Sequence, residues 1–133
     1  NIGCTKGLQY WATLIKPGGH IAFSEITWLS EKRDPQIEGY WMTEYPEITT
    51  VAGNLEKIAQ AGLDTIGHFI LPPSSWIDSY YKPLMANSES FLARHNHSAL
   101  SKQIVEATQL EYDLYLSHQS AYSYGFYIAR KPQ

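Results

Sequence analysis

The stretch Leu14–Glu25, LIKPGGHIAFSE, decides the fold of this chain. It predicts the end of a helix, a sharp turn and a short apolar strand. Pro17 cannot continue a helix, and the two glycines after it permit an abrupt reversal of the backbone. The run His20–Phe23 shows no polar alternation, which is typical of a strand in a parallel sheet covered on both faces. The stretch therefore indicates a helix-to-strand step in an α/β protein.

Hydrophobic periodicity extends this pattern in both directions. Upstream, we predict a helix from about Thr5 to Ile15, with Thr5 as its N-cap. Downstream, the predicted elements are a helix ended by Gly62, a strand over 63–71, a helix to about His95 that is kinked near Pro83, a helix beginning near Ser98, and a strand over 124–130. The last helix is expected to carry a stripe at helical spacing, formed by Leu100, Ile104, Ala107, Leu110 or Glu111, and Leu114. The order α-β-α-β-α-α-β indicates α/β architecture.

Composition sets limits on the class of protein. The 133 residues include 44% hydrophobic and 17% charged ones, as expected for one globular domain over 1–133. The net charge of −3 argues against a nucleic-acid partner. The single cysteine rules out an internal disulfide and favours a cytoplasmic location. No apolar run is long enough to span a bilayer, and because the sequence begins at Asn1 without methionine, we expect a piece of a longer protein.

The segment 27–50 is longer than a simple connection and rich in aromatic residues. Pro35 and Pro46 interrupt it, and a short helix between them would place Tyr40 and Trp41 on one face. Long insertions of this kind often act as caps or lids over a binding site. A lid that contacts substrate and a helix that packs its stripe on the core are both compatible with the pattern.

Most motifs for chemistry are missing from the sequence. No glycine-rich nucleotide loop, Walker sequence or G-x-S-x-G elbow is present. His95 and His97 lack neighbouring ligands that would complete a metal site, and Cys4 has no activating neighbour beyond Lys6. Glu25 remains, because it follows the apolar strand directly and ligands of open α/β sheets bind beyond the carboxyl ends of strands. It is either a residue at the rim of a cleft or a solvated strand end.

The ordered set LIKPGG, SEITWL, YWMTEYPEI and AGL before a strand ending FILP resembles the class I S-adenosylmethionine-dependent methyltransferases. Within them it is most similar to the ubiquinone and menaquinone C-methyltransferase-like group. The resemblance implies a Rossmann-like seven-stranded sheet, of which this chain supplies strands five to seven. The seventh strand would be antiparallel and inserted between the fifth and sixth. Strands one to four would be absent, together with the main motifs that bind S-adenosylmethionine, so no residue here is assigned to the cofactor; Asn1 would follow strand four.

The same resemblance implies a function and a site. The full-length enzyme would transfer a methyl group to a small-molecule acceptor, and this chain would be the substrate-side half, inactive alone. Glu25 would accept a proton as the catalytic residue. The substrate-binding residues would be Trp28, Tyr40, Trp41, Tyr45, Trp76 and Tyr80.

An alternative from a different class stays open: a non-catalytic α/β binding or dimerisation module with an aromatic cleft for a hydrophobic ligand. In either case, strand 20–26 would lack the neighbour that strand four provides. Unpaired apolar strands at a sheet edge promote association. We therefore expect this edge to be covered by a second copy, by a local element or by the missing half.

Overall fold

The computed structural model describes residues 2–133, which form seven α-helices, one π-helical segment and four strands. The helices are α1 Cys4–Leu14, α2 Pro35–Glu44, α3 Val51–Gln60, α4 Pro73–Trp76, α5 Lys82–Ala86, α6 Ser88–Arg94 and α7 Ala99–His118, with the π-helical segment at Ile77–Tyr81. The strands are β1 His20–Trp28, β2 Thr49–Thr50, β3 Asp64–Ile70 and β4 Tyr122–Arg130. Asn1, which was expected to follow strand four, lies outside the described residues.

The four strands form one mixed sheet in the order β2-β1-β4-β3. β4 is antiparallel to both β1 and β3 and lies between them. The α/β fold class and the insertion of an antiparallel last strand between the two preceding long strands are thus confirmed. β2 was not predicted; it pairs in parallel with β1 through Thr27 and Trp28 alone.

The chain divides into two compact units. The first extends to Leu71 and includes Ser120–Gln133, so it contains the whole sheet with α1, α2 and α3. The second is Pro72–Gln119 and contains the remaining helices. The prediction of one domain over 1–133 and the prediction that 27–50 acts as a lid both stay predictions.

The core of the first unit lies between one face of the sheet and helices α1 and α3. Its buried members are Cys4, Leu8, Ala12, Ile58, Leu63, Tyr127 and Ala129. Ile21 and Phe23 of β1 pack against this cluster. Since side chains alternate along a strand, Glu25 and Thr27 point to this same face of β1.

The opposite face of the sheet is largely open, which corrects the prediction of a strand covered on both sides. His20, Ala22 and Ser24 are exposed, and on this side only Ile26 and Trp28 of β1 are buried. Among the described residues of the first unit, α2 covers the Trp28 end of this face and leaves the rest uncovered. We call the uncovered part the open face; it consists of Ala22, Ser24, Phe69, Tyr124, Phe126 and Ile128.

The second unit is helical and centres on stacked aromatic rings. The predicted irregularity near Pro83 takes the form of the π-helical segment just before it, where the N–H of Lys82 bonds to the carbonyl of Ile77. Proline has no N–H to offer the preceding turn, so the helix widens there. Of the residues predicted to share a stripe of α7, Leu114 is buried, whereas Leu100, Ile104 and Leu110 are 67%, 46% and 54% exposed. The helix also buries Ser101 and Tyr115.

No helix among residues 2–133 combines the length and the apolar character that crossing a membrane requires.

Candidate functional site

A polar cluster surrounds Glu25 toward the carboxyl end of β1. The Glu25 side chain is half-buried and lies within hydrogen-bonding reach of the Cys4 thiol and the Tyr45 hydroxyl. Cys4 begins α1, and Tyr45 follows the end of α2. Three segments distant in sequence thus meet at the carboxylate that the sequence singled out.

A second carboxylate, Glu47, holds these segments together. The backbone N–H of Cys4 donates to Glu47 Oε2 at 2.6 Å and also to the Tyr45 hydroxyl oxygen at 3.1 Å. The Tyr45 hydroxyl lies 3.3 Å from the same Oε2, to which it can donate. Lys57 Nζ donates to the backbone carbonyl of Glu47 at 2.8 Å. Tyr45 therefore stands between two carboxylates, and its single hydroxyl hydrogen can be donated to one of them at a time.

The start of α1 explains why a distant glutamate is needed there. Gly3 is the N-cap, with φ 75°, and has no side chain to bond the first N–H groups of the helix. The predicted cap, Thr5, is wrong because the N-cap position is two residues earlier, at Gly3. The Thr5 hydroxyl bonds to Glu47 instead. Glu47 thus satisfies N-terminal donors of α1 from 43 residues away, where a negative charge also favours the helix dipole.

The surroundings of Glu25 make its carboxylate more basic than usual. Burial raises the pKa of Glu25, and this effect outweighs the hydrogen bonds from Cys4 and Tyr45 and the charge of Lys57, which all lower it. A carboxyl group with a raised pKa is a better proton acceptor near neutral pH. The cluster therefore has a side chain suited to acid–base chemistry.

The neighbouring groups respond to the same environment. Burial first, and the Glu25 charge second, raise the pKa of Cys4 to about 12, so the thiol stays protonated and is no nucleophile. Burial and Glu25 likewise raise the pKa of Tyr45. Partial burial raises the pKa of Glu47, but the hydrogen bonds from Cys4 and Thr5 and the charge of Lys57 lower it by more. The net effect is a lowered pKa. The two glutamates of the cluster are thus shifted in opposite directions.

Three of the predicted substrate residues meet at a separate place in the first unit, around Tyr122. Trp28 is 5% exposed and packs edge-on against Tyr122, with the Arg33 guanidinium 4.6 Å above the Trp28 ring. Trp41 contacts Tyr122 and Tyr40, with both ring centroids 5.2 Å away. Nε1 of Trp41 is buried, and no acceptor for it lies within the described part of the chain.

Trp76 and Tyr80 belong to the second unit. Trp76 is buried and stacks on Tyr115, with ring centroids 4.8 Å apart. Tyr80 is 50% exposed and meets Tyr81 edge-on. Of the predicted site residues, the structure therefore joins Tyr45 to Glu25 directly, and it gathers Trp28, Tyr40 and Trp41 into a second group.

Sequence reasoning missed Glu47 and Lys57 and gave Cys4 no part. The partner of Glu47 at the start of α1, Cys4, lies 43 residues away in sequence, beyond the reach of local patterns. One signal was available in the sequence. Gly3, just before the first helix, has no side chain to cap it, so another residue has to bond the first N–H groups of the helix.

The described residues offer no metal centre, since no group of three or more His, Cys, Asp or Glu side chains lies close together in them. His97 is 3.8 Å from Glu89, and His95 packs on the Phe91 ring. Nor does the sequence contain a glycine-rich loop that could hold a nucleotide cofactor.

Solved structures share the arrangement of this chain. The Haemonchus contortus phosphoethanolamine N-methyltransferase 2, in complex with phosphomonomethylethanolamine and S-adenosylhomocysteine, matches 97% of the chain at 17% identity, with a TM-score of 0.72. A Geobacter sulfurreducens S-adenosylmethionine-dependent methyltransferase, in complex with S-adenosylhomocysteine, matches 97% at 16% identity, with a TM-score of 0.75. The fold is that of class I methyltransferases.

The match covers part of each of these proteins. The chain spans 30% of the Haemonchus chain and 52% of the Geobacter chain. The [4+2]-cyclase SpnF also matches, over 96% of this chain and 44% of its own, at 18% identity and a TM-score of 0.66. No family model matches the sequence, and no curated protein does. The shared methyltransferase fold thus accommodates more than one activity.

Proposed function

We propose that this chain is the substrate-side, C-terminal part of an S-adenosylmethionine-dependent methyltransferase of the ubiquinone and menaquinone C-methyltransferase-like group, acting on a small-molecule acceptor. The observation that carries the proposal is the position of Glu25. It lies toward the carboxyl end of a strand in a methyltransferase-type sheet, where ligands of open α/β sheets bind. There it contacts Tyr45 and Cys4 and has a raised pKa.

These residues contain no recognisable binding motif for the cofactor. The sequence has no glycine-rich loop, and none of the described strands ends in a glutamate or aspartate: they end at Trp28, Thr50, Ile70 and Arg130. We therefore assign no cofactor-binding residue and expect those groups in a part of the protein outside this chain. S-adenosylmethionine, when bound, supplies an electrophilic methyl group.

Within the reaction, this chain would handle the proton of the acceptor. An acceptor hydroxyl, amine or acidic carbon gains a methyl group and loses a proton, and the Glu25 carboxylate takes up that proton to become a neutral acid. Its raised pKa favours this transfer. The hydroxyl of Tyr45 bonds to the carboxylate and fixes its orientation.

Aromatic side chains would hold the acceptor. Tyr45 contacts Glu25. The group of Trp28, Tyr40 and Trp41, which lies on the opposite face of β1, would supply apolar walls where the strand ends. The buried Nε1 of Trp41 offers a donor for an acceptor oxygen, since a buried donor without a partner is costly. Trp76 and Tyr80 remain proposed as further substrate contacts. Positioning of this kind is the larger part of catalysis in a direct displacement.

Two features support the proposal that the sheet continues beyond this chain. Over His20–Ile26, β1 pairs with β4 on one side, and no described strand pairs with it on the other. The open face presents apolar groups such as Phe69 and Ile128, which are 53% and 37% exposed. The isolated chain would then be inactive, and it would associate through 20–26 with a second copy or with the rest of the enzyme in the cytoplasm.

The test is methyl transfer from labelled S-adenosylmethionine by the full-length enzyme and by its Glu25→Gln variant. We expect turnover to fall about 10²- to 10⁴-fold, the usual contribution of a general base. Glu44→Gln, an exposed change at the end of α2, is the control and should leave turnover intact. Unchanged turnover in Glu25→Gln would remove this residue from the mechanism. Absence of any methyl transfer by the full-length protein would refute the proposed function.

The alternative is a non-catalytic α/β binding or dimerisation module with an aromatic cleft. The unpaired edge His20–Ile26 favours it, because such an edge suits strand-to-strand dimerisation. Calorimetry with S-adenosylmethionine separates the two functions: the full-length protein binds it if it is a methyltransferase, and does not if the chain belongs to a binding module.

A further inference from the structure

We propose that Glu47 is a positioning residue, which fixes the Tyr45 hydroxyl and the start of α1 on the Glu25 carboxylate. The proposal concerns the site of the proposed methyltransferase and rests on that function for its catalytic meaning. Its structural content can be tested without any turnover.

The geometry ties Glu47 to two of the three segments at the site. Its Oε2 accepts from the Cys4 N–H at 2.6 Å, and the Tyr45 hydroxyl lies 3.3 Å away. Short bonds to a charged acceptor are about twice as strong as neutral ones. The segment after α2 is thus fastened to the first turn of α1 by a charged bond.

Other contacts hold Glu47 itself in place. Lys57 of α3 bonds to its backbone carbonyl, so the backbone of the segment is anchored independently of its side chain. At the start of α1, a Cβ at Gly3 would collide with the Glu47 carboxylate. The carboxylate therefore occupies space that glycine leaves open at the helix start.

Glu25 depends on this arrangement. The Tyr45 hydroxyl and the Cys4 thiol both bond to its carboxylate and lower its pKa against the effect of burial. Without Glu47, the Cys4 N–H loses its charged acceptor, which frees the start of α1. The Tyr45 hydroxyl hydrogen is then left to Glu25 alone, and a nearby negative charge is removed; both changes would lower the pKa of Glu25.

The single cysteine gives a direct measurement on this chain. Cys4 is 6% exposed, so a thiol reagent reaches it only after the start of α1 opens. We expect Glu47→Ala to speed labelling of Cys4 by about 10- to 100-fold, the range for loss of a hydrogen bond to a charged group. Glu47→Gln keeps an oxygen acceptor and should lie between Glu47→Ala and the parent. Glu44→Ala is the matched control and should not change the rate.

A second measurement distinguishes positioning from a merely structural role. Carboxyl NMR titration of ¹³C-glutamate, with the Glu25 signal assigned by its loss in Glu25→Gln, follows the pKa of Glu25 itself. We expect Glu47→Ala to lower this pKa and Tyr45→Phe to raise it. Because Glu47 acts on Glu25 largely through Tyr45, Glu47→Ala should shift the pKa less in the Tyr45→Phe background.

Each outcome decides the proposal. Equal labelling rates in Glu47→Ala and Glu44→Ala, or an unchanged Glu25 titration in the folded Glu47→Gln and Glu47→Ala variants, would overturn it. Full additivity with Tyr45→Phe would overturn the route through Tyr45. If the enzyme shows no methyl transfer, the proposed function fails, whereas labelling and titration still decide the role of Glu47.

Discussion

The hydroxyl oxygens of Thr27 and Tyr127 lie 2.9 Å apart across strands β1 and β4, and both side chains are fully buried. Asn54 of α3 donates its amide to both oxygens, at 3.1 Å each. This triangle joins two strands and a helix two residues beyond Glu25, on the same face of β1. It therefore fixes the strand end from which Glu25 projects.

We expect Tyr127→Phe to destabilise the protein by about 1–3 kcal/mol, because it leaves Thr27 and Asn54 short of a buried partner while the ring is retained. Urea denaturation followed by tryptophan fluorescence measures the change. Tyr10→Phe is the control, since Tyr10 is 58% exposed on α1. A loss no larger than in Tyr10→Phe would mean that the triangle adds nothing to stability.

The helix-to-strand step was predictable from the sequence because its signals are local. Pro17 and the glycines after it interrupt the helical periodicity, and Gly18 adopts the positive φ of 76° that the turn requires. Glu25 could be singled out for the same reason, since its place after an apolar strand is visible in the sequence. The resemblance to methyltransferases then placed β4 correctly.

The rest depends on contacts that sequence spacing does not encode. Cys4 and Glu47 meet across 43 residues, so neither predicts the other. The apolar run of β1 suggested burial on both faces, yet the described helices cover mainly one. Leu100 and Ile104 of α7 have helical spacing, but periodicity cannot tell which apolar stripe will be buried.

The two glutamates of the site should give opposite contributions to stability as pH changes. The pKa of Glu25 is raised above its ordinary value of 4.5, so its contribution is full below pH 4.5 and is lost as pH rises through the folded pKa. The pKa of Glu47 is lowered, so its contribution is present above pH 4.5 and is lost as pH falls through the folded pKa.

Denaturation at a series of pH values, with Glu25→Gln and Glu47→Gln compared to the parent, measures this difference. Relative to the parent, Glu25→Gln should gain stability as pH rises above 4.5, and Glu47→Gln should recover relative stability as pH falls below 4.5. Parallel pH curves for all three proteins would contradict the opposite shifts.

Two glycines should respond in opposite ways to alanine. Gly3 has φ 75°, and a Cβ there meets the Glu47 carboxylate, so we expect Gly3→Ala to cost about 1–3 kcal/mol. Gly39 is exposed within α2 and has nothing within 4 Å of an added Cβ. Gly39→Ala should therefore stabilise the protein by up to about 1 kcal/mol. Thermal denaturation measures both, and a neutral Gly3→Ala would show that the helix start adapts.

The unpaired edge of β1 should make the isolated chain associate. Its backbone over His20–Ile26 has no described strand partner on the side away from β4, and the adjoining open face is apolar. We expect sedimentation velocity to show mass rising with protein concentration. The Ala22→Lys substitution, at an exposed position on this strand, should reduce the association because a charge at a sheet edge opposes strand pairing.

The control is Thr13→Lys, at an exposed position on α1, which should leave the association unchanged. Association that is equally weakened by both changes would reflect net charge rather than the edge. A chain that stays monomeric at every concentration would show that this edge is protected without a partner, and the argument for a missing fourth strand would lose its physical support.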